Sequence, residues 1–410
     1  MGENKKDIKG FAVGLILTLA IIAVISGLIF VSISIMKKPS DIANHEEPPT
    51  VQPPAPKKVV NEVEKSETKM SNPQASDKIA IVPTLLDEVF TNSAWCGTFQ
   101  LVWNDMQNEV VKKDIEFDPQ ILIAENLNKQ SFTENDISES YYYKTWGLKT
   151  LSLKEKIENG IKEKFNQTSD VLDKLDWTDI PEDESAYNGD SKEYLFYTML
   201  YKEFNFENPF SILDKASFTG TNEVYNDAKY FGIDEDTDSN VYSQINVLYY
   251  NADDDFAVML NTKEGDRVLL AKGDNGNTFK GIYDNVLAKT QNYEGNRNFT
   301  ADDTFKVPNI KFNILKDFEE IENKPFYSAE GNECEIIKAL QTIQFELDNK
   351  GGKIKSEAVI DMMETSAIAD PEPIEHRYFN FDSTFTMFLI EDGKKLPYFA
   401  ANIDDISLYQ

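Results

Sequence analysis

The sequence predicts an α+β fold with large mixed β-sheets. Helix-period apolar spacing clusters early in the globular part, whereas alternating and continuous apolar runs dominate late. Apolar residues make up 41% and aromatic residues 12% of the 410, enough for one large or two medium domains with a substantial core.

Residues 1–10 read as a cytoplasmic N-terminus. Phe11 to Met36 is an apolar run whose only polar interruptions are Thr18, Ser26, Ser32 and Ser34. A bilayer crossing takes roughly 20 apolar residues, so this run predicts one transmembrane helix. Lys5, Lys6 and Lys9 precede it, Lys37 and Lys38 follow it, and the short N-terminus favours a signal anchor. That orientation places a single-pass protein in the cell membrane with its globular domain outside the cytoplasm. Residues 37–78, rich in Pro, Glu, Lys and Ser, form a Pro-rich disordered linker because such sequence buries too little surface to order itself. Residues 79–410 form the globular domain.

Within it, Asn92 is placed to cap a helix with the stripe Trp95, Phe99, Val102, Trp103, Met106 and Val110. Ile115-Glu-Phe is strand-like and Asp118-Pro119 breaks it. Ser152-Leu-Lys-Glu is a capping box, opening a helix with Leu153, Ile157, Ile161 and Phe165 on one face and charges on the other. Such a helix should lie across something apolar. Tyr194 to Tyr201 suits a strand buried on both faces. Val241, Ser243, Ile245, Val247 and Tyr249 alternate, Asn251-Ala-Asp-Asp-Asp turns the chain, and Phe256 to Leu260 completes a hairpin. Phe279, Ile282, Val286 and Leu287 mark a helix. Phe305 to Leu315 is a strand in which Pro308 indicates an edge or a bulge.

The last part carries a tethered loop. Thr342 to Asp348 alternates, Asn349-Lys-Gly-Gly breaks the pattern, a polar segment runs from Lys353 to Arg377, and a dense apolar run follows from Tyr378 to Ile390. A long loop between two strands of a compact domain is usually functional.

The formal charge of −30 excludes nucleic-acid binding, which needs clustered cations. Cys96 and Cys334 permit one disulfide at most, and their apolar, helix-like settings read as two buried thiols. With His45 in the linker, His376 is the sole imidazole of the domain, which argues against a His-based triad or zinc site. Asp234-Glu-Asp-Thr-Asp238 has calcium-loop spacing, but Ser239 replaces the turn glycine and no Glu stands at the twelfth position, so it reads as a solvated acidic loop. Asn166-Gln-Thr and Asn298-Phe-Thr match the glycosylation sequon, and Gly273, Gly276 and Gly281 read as turn glycines. No catalytic motif, cofactor site or metal site emerges. The chain reads as a non-enzyme.

Phe379-Asn-Phe-Asp-Ser-Thr-Phe-Thr-Met-Phe-Leu389 resembles the C-terminal signature of the serpins, the serine-protease inhibitor superfamily. Leu396-Pro-Tyr-Phe-Ala-Ala-Asn-Ile403 is similar to that family's closing strand. Phe345-Glu-Leu-Asp-Asn-Lys-Gly351 resembles the strand and hinge that enter the reactive-centre loop. Tyr194 to Phe210 resembles its central strand, with Phe206 in place of Trp, and Lys306 to Phe312 a later strand. Together these span roughly residues 85–403 in the family's order. Between Val110 and Leu151 the chain is shorter than the family's early helical segment, and Asp118-Pro119-Gln120 stands in place of Ser-Pro-x-Ser.

The resemblance implies a serpin-like fold with an N-terminal helical part and a reactive-centre-type loop over 351–377. It implies a hinge at Gly351, Gly352, Ile354, Ser356 and Ala358, and signature residues Phe379, Phe381, Asp382, Phe385 and Pro397. The family's spacing puts the scissile bond at Thr365-Ser366, and the loop's extra length extends the range to Ala369-Asp370. Gly352, Ile354, Ser356, Ala358, Ile360 and Met362 share one parity, compatible with insertion as a strand. The bulk of Ile354, Lys355 and Glu357 is expected to slow that insertion. The implied function is membrane-anchored, suicide-type inhibition of a serine or cysteine protease that prefers small residues. The alternative is a non-inhibitory serpin-like binding module on the cell surface. The implied partners are the target protease and, through Phe11–Met36, the membrane; a monomer is expected.

Overall fold

The computed structural model describes residues 74–75, 78–187, 192–355 and 376–410. The expected transmembrane segment and residues 37–73 of the expected linker lie outside them, whereas Gln74–Ala75, within that linker, is a short strand. Among the described residues no helix is long and apolar enough to cross a membrane.

The centre of the fold is a seven-stranded sheet in the order Ala80–Ile81, Ser93–Cys96, Pro397–Ile403, Phe385–Glu391, Asp266–Lys272, Asp255–Asn261, Ile245–Ala252. Its middle strands are continuous apolar runs because both faces are covered. Helix Phe279–Asn292 packs Phe279 and Tyr283 on Phe388 from one side. From the other, Phe312 and Phe345 of a second sheet stack on Phe399. Burying a side chain of this size contributes roughly 1.5–3 kcal/mol, so this aromatic layer holds the two sheets together.

The second sheet has five strands in the order Gln74–Ala75, Ile310–Asp317, Leu340–Asp348, Gly351–Lys355, Lys202–Asn205. A four-stranded sheet orders Tyr378–Asn380, Thr304–Pro308, Val224–Gly232 and Ser211–Thr219. Two ribbons complete the architecture: Tyr142–Leu148 with Tyr194–Leu200, and Pro325–Tyr327 with Glu333–Glu335.

The early part is less helical than expected. Ser93–Cys96 is a strand and the helix is Thr98–Asp105, starting from Gly97, which offers no side-chain cap, and continuing as a π-helix over Met106–Val111, so the expected stripe does reach Val110. Trp95 fits a helical stripe equally well, but all four strand residues are buried and pair with Pro397–Ile403, and that tertiary pairing decides. Asn92 instead accepts the backbone N–H groups of Asp404 (3.0 Å) and Asp405 (2.9 Å) on its side-chain oxygen. Ile115 and Phe117 are buried in an irregular segment, held by the side chains of Asn128 and Gln120 rather than by a ladder.

The helix Leu151–Phe165 begins one residue before the expected box. Thr150 caps it by accepting the Leu153 N–H at 3.0 Å, while Ser152 donates to the Glu182 carbonyl at 2.8 Å. Its periodicity places Leu153, Ile157 and Ile161 on Tyr197 and Met199 of the ribbon, so the helix lies across an apolar face as expected. Tyr194–Leu200 is only partly buried, because its sole ladder partner among the described residues is Tyr142–Leu148.

Other boundaries shift for similar reasons. Residues 239–244 form a 3-10 turn, and the alternating strand starts at Ile245. The expected strand over 305–315 divides after Pro308, and its halves enter different sheets. The apolar run after 377 likewise divides into Tyr378–Asn380 and Phe385–Glu391. Both cysteines are free thiols in strands; Cys96 is buried and Cys334 only half-buried.

Candidate functional site

The segment after the Asn349-Lys-Gly-Gly break is a strand. Gly351–Lys355 lies between Leu340–Asp348 and Lys202–Asn205, antiparallel to both. Its two glycines are required by how closely the neighbouring strand approaches. Gly351 has φ +150°, and a β-carbon there would stand 2.1 Å from the Phe204 carbonyl oxygen. A β-carbon on Gly352 would stand 2.4 Å from the Phe204 ring and 2.9 Å from the Glu346 carbonyl oxygen. The turn before them is fixed by the Phe206 and Phe210 N–H groups, which donate to the Lys350 and Asn349 carbonyls at 2.8 Å each.

Ile354 faces Phe345 on one side and Lys202 on the other, and is fully buried. The bulk expected to hinder this strand therefore fills the core. The two lysines of the opposite parity meet acids: Lys353 pairs with Glu203 at 3.2 Å and Lys355 with Asp170 at 2.8 Å. Lys355 also donates to the Thr168 carbonyl at 2.9 Å, which ties the strand's end to the chain leaving the crossing helix.

Below Lys355 the sheet opens. Residues 340–343 keep Ile310–Asp317 on one side, but on the other no strand pairs with them among the described residues. Across from them stands Tyr194–Leu200, whose second edge is likewise unpaired among the described residues. Between these edges lies a cleft of about 1230 Å³, walled by Thr198, Leu200, Leu340 and Thr342 and floored by Phe99 and Trp103. The Thr198 hydroxyl and the Gln341 side-chain amide oxygen, both buried, have no hydrogen-bond partner among the described residues. Unpaired edges of this kind accept a further strand.

The far end of the loop is clasped. Arg377 is buried and donates to both carboxylate oxygens of Asp303, at 2.9 and 2.7 Å, to the Asn298 carbonyl at 2.7 Å and to the Asn296 carbonyl. Phe379 and Phe381 then pack against Phe256 and Phe305, and Phe385 against Phe381. Asp382 accepts from Lys272 (2.9 Å) and Lys306 (3.3 Å). Burial favours its neutral form, yet the two ammonium groups hold its carboxyl below the usual carboxylate range. Pro397 is buried at the start of the last strand of the central sheet.

The structure thus brings Gly351, Gly352 and Ile354 into the five-stranded sheet and the signature residues into the core beside it. Ser356, Ala358, Thr365 and Ser366 lie outside the described residues. The acidic loop at 234–238 is tied by its own hydrogen bonds, with Asp234 accepting from Ser211 and Thr237, and no metal-binding cluster occurs among the described residues. Sequence reasoning missed the clamps Lys355–Asp170 and Arg377–Asp303. Their only trace was the cations at the two ends of the polar segment, Lys353 and Lys355 at one and Arg377 at the other.

No family model matches the chain, and no curated protein matches it. Solved structures do. A specific serpin of the insect Tenebrio molitor is 12% identical, with 77% of this chain and 92% of that one covered at a TM-score of 0.40. Thyroxine-binding globulin in complex with thyroxine is 13% identical, covering 77% and 93% at 0.41. A cleaved serpin, Serpin 42Da, is 11% identical, covering 62% and 65% at 0.38. The likeness is distant, with TM-scores of about 0.4. It is one of fold alone: mixed multi-stranded sheets with few helices among the described residues.

Proposed function

We propose that this serpin-like chain is a suicide-type inhibitor of a serine or cysteine protease, held outside the cytoplasm by Phe11–Met36. The observation that supports it is the strand Gly351–Lys355 standing directly above a cleft whose two edges are unpaired among the described residues. The ladder pairs 354 with 202 and 355 with 344. Continued at that register, Ser356 would face Leu200 and Ile343, and Ala358 would face Thr198 and Gln341. The loop's alternation would then aim Ser356, Ala358, Ile360 and Met362 to the same side as Ile354. Cleavage at Thr365-Ser366 frees the loop to extend the strand, and the acylated protease travels with it. Small side chains there suit an elastase- or subtilisin-like enzyme.

The second reading, a non-inhibitory binding module, draws on the clamps at Lys353 and Lys355, which hold the strand where it is. Incubation of the full chain with a panel of such proteases, followed by denaturing gels, separates the two. Inhibition predicts a band at the summed mass of protease and protein that survives denaturation. Cleavage without such a band rejects it.

A further inference from the structure

Beneath the hinge strand lies a charge cluster that the insertion chemistry does not use. Asp266 and Glu391 stand directly opposite each other on adjacent antiparallel strands, so their side chains leave the same face. Both residues are fully buried. Asp266 pairs with the Lys202 ammonium at 2.9 Å and accepts from the Tyr398 hydroxyl at 3.1 Å. Glu391 accepts from the Ser138 hydroxyl at 2.5 Å and its N–H at 3.0 Å. Lys202 is itself buried, with its ammonium 4.8 Å from the Tyr141 ring centre. Lys394, on the turn after Glu391, spends its ammonium on the Asn135 carbonyl at 2.8 Å, and Arg267 beside Asp266 pairs with Asp392 at 3.3 Å.

Two buried carboxylates therefore face one buried ammonium. Ionised together they leave a net negative charge inside the protein, a costly arrangement that a single proton removes. We propose that Asp266 and Glu391 share one bound proton at and below neutral pH, making this cluster a built-in pH-sensitive tie between the central sheet and the strand Lys202–Asn205.

Burial pushes the Asp266 carboxyl up to about 7 against the pull of Lys202, and burial raises Glu391 as well. The sign follows from linkage. A carboxyl whose folded value lies above its unfolded one binds its proton more tightly when folded, so stability is present at acid pH and is lost as pH rises toward about 7. Lys202 faces Ile354 across the ladder, so the tie loosens directly beside the hinge strand. The proposal is independent of whether the loop inhibits a protease.

Urea unfolding of the full chain between pH 5.5 and 7.5 tests it, with Asp266→Asn and Glu391→Gln alongside. The wild-type folding constant is expected to fall about tenfold or more across that range. Each single variant leaves one carboxylate for one ammonium, so its profile is expected to be flat and to lie above wild type at pH 7.5. Parallel profiles for all three would overturn the proposal. If neither variant folds, infrared spectroscopy of the wild type decides. A protonated buried carboxyl band at pH 6 that vanishes by pH 8 supports the shared proton; no titrating band overturns it.

Discussion

Gly351 lies so close to Phe204 that a β-carbon would stand 2.1 Å from the Phe204 carbonyl oxygen. No side chain fits there without parting the strands, and φ +150° is strained for any residue but glycine. Gly351→Ala should destabilise the domain by about 1–3 kcal/mol, measured by urea unfolding. Asn349→Ala, in the preceding turn, removes only the hydrogen bond that its side chain donates to Phe210, and should cost about 0.5–1.5 kcal/mol. Equal costs for the two would mean that the strands do not sit this close.

Ile354 tests the seating of the hinge strand from the core side. Fully buried between Phe345 and Lys202, it should lose about 2–5 kcal/mol of stability on truncation to alanine. A hinge held out in solvent would give a change near zero, so unfolding of this one variant distinguishes the two placements.

Arg377 and Asp303 clasp the loop's distal end. Arg377→Met strands a buried carboxylate, and breaking such a pair typically costs about 3–5 kcal/mol. Asp303→Asn with Arg377→Met should recover part of that loss, because no charge is then left buried alone. Absence of any recovery in the double variant would show that the clasp is not electrostatic.

The formal charge of −30 predicts salt-sensitive association with cationic proteases. Association rates measured by stopped flow should fall as ionic strength rises through the physiological range. Rates independent of salt would remove the steering argument.

These predictions rest partly on features legible in the sequence and partly on features that were not. The hairpin strand Phe256 to Leu260 and the apolar run ending at Ile390 announced buried strands, and the spacing of Ile157 and Ile161 correctly required an apolar surface beneath their helix, whereas Tyr194 to Tyr201, read as buried on both faces, is only partly buried. Ser93–Cys96 was not legible, because Trp95 satisfies both periods and only its pairing with residues 399–402 decides between them. Gly351-Gly352 read as a break for the same property that makes it a strand here: lack of a side chain permits turns and close backbone approach alike. Clamps such as Lys355–Asp170 join positions 185 residues apart, and no local pattern carries that distance.

The central claim is that the loop extends the strand begun at Gly351–Lys355 into the cleft beside Thr198. Thermal melting of the full chain before and after a single cut between residues 365 and 370 tests it most directly. Insertion pairs both edges that are open among the described residues and buries apolar surface, so the account predicts a marked rise in Tm for the cut protein. An unchanged or lowered Tm, with the cut verified by mass, would contradict it.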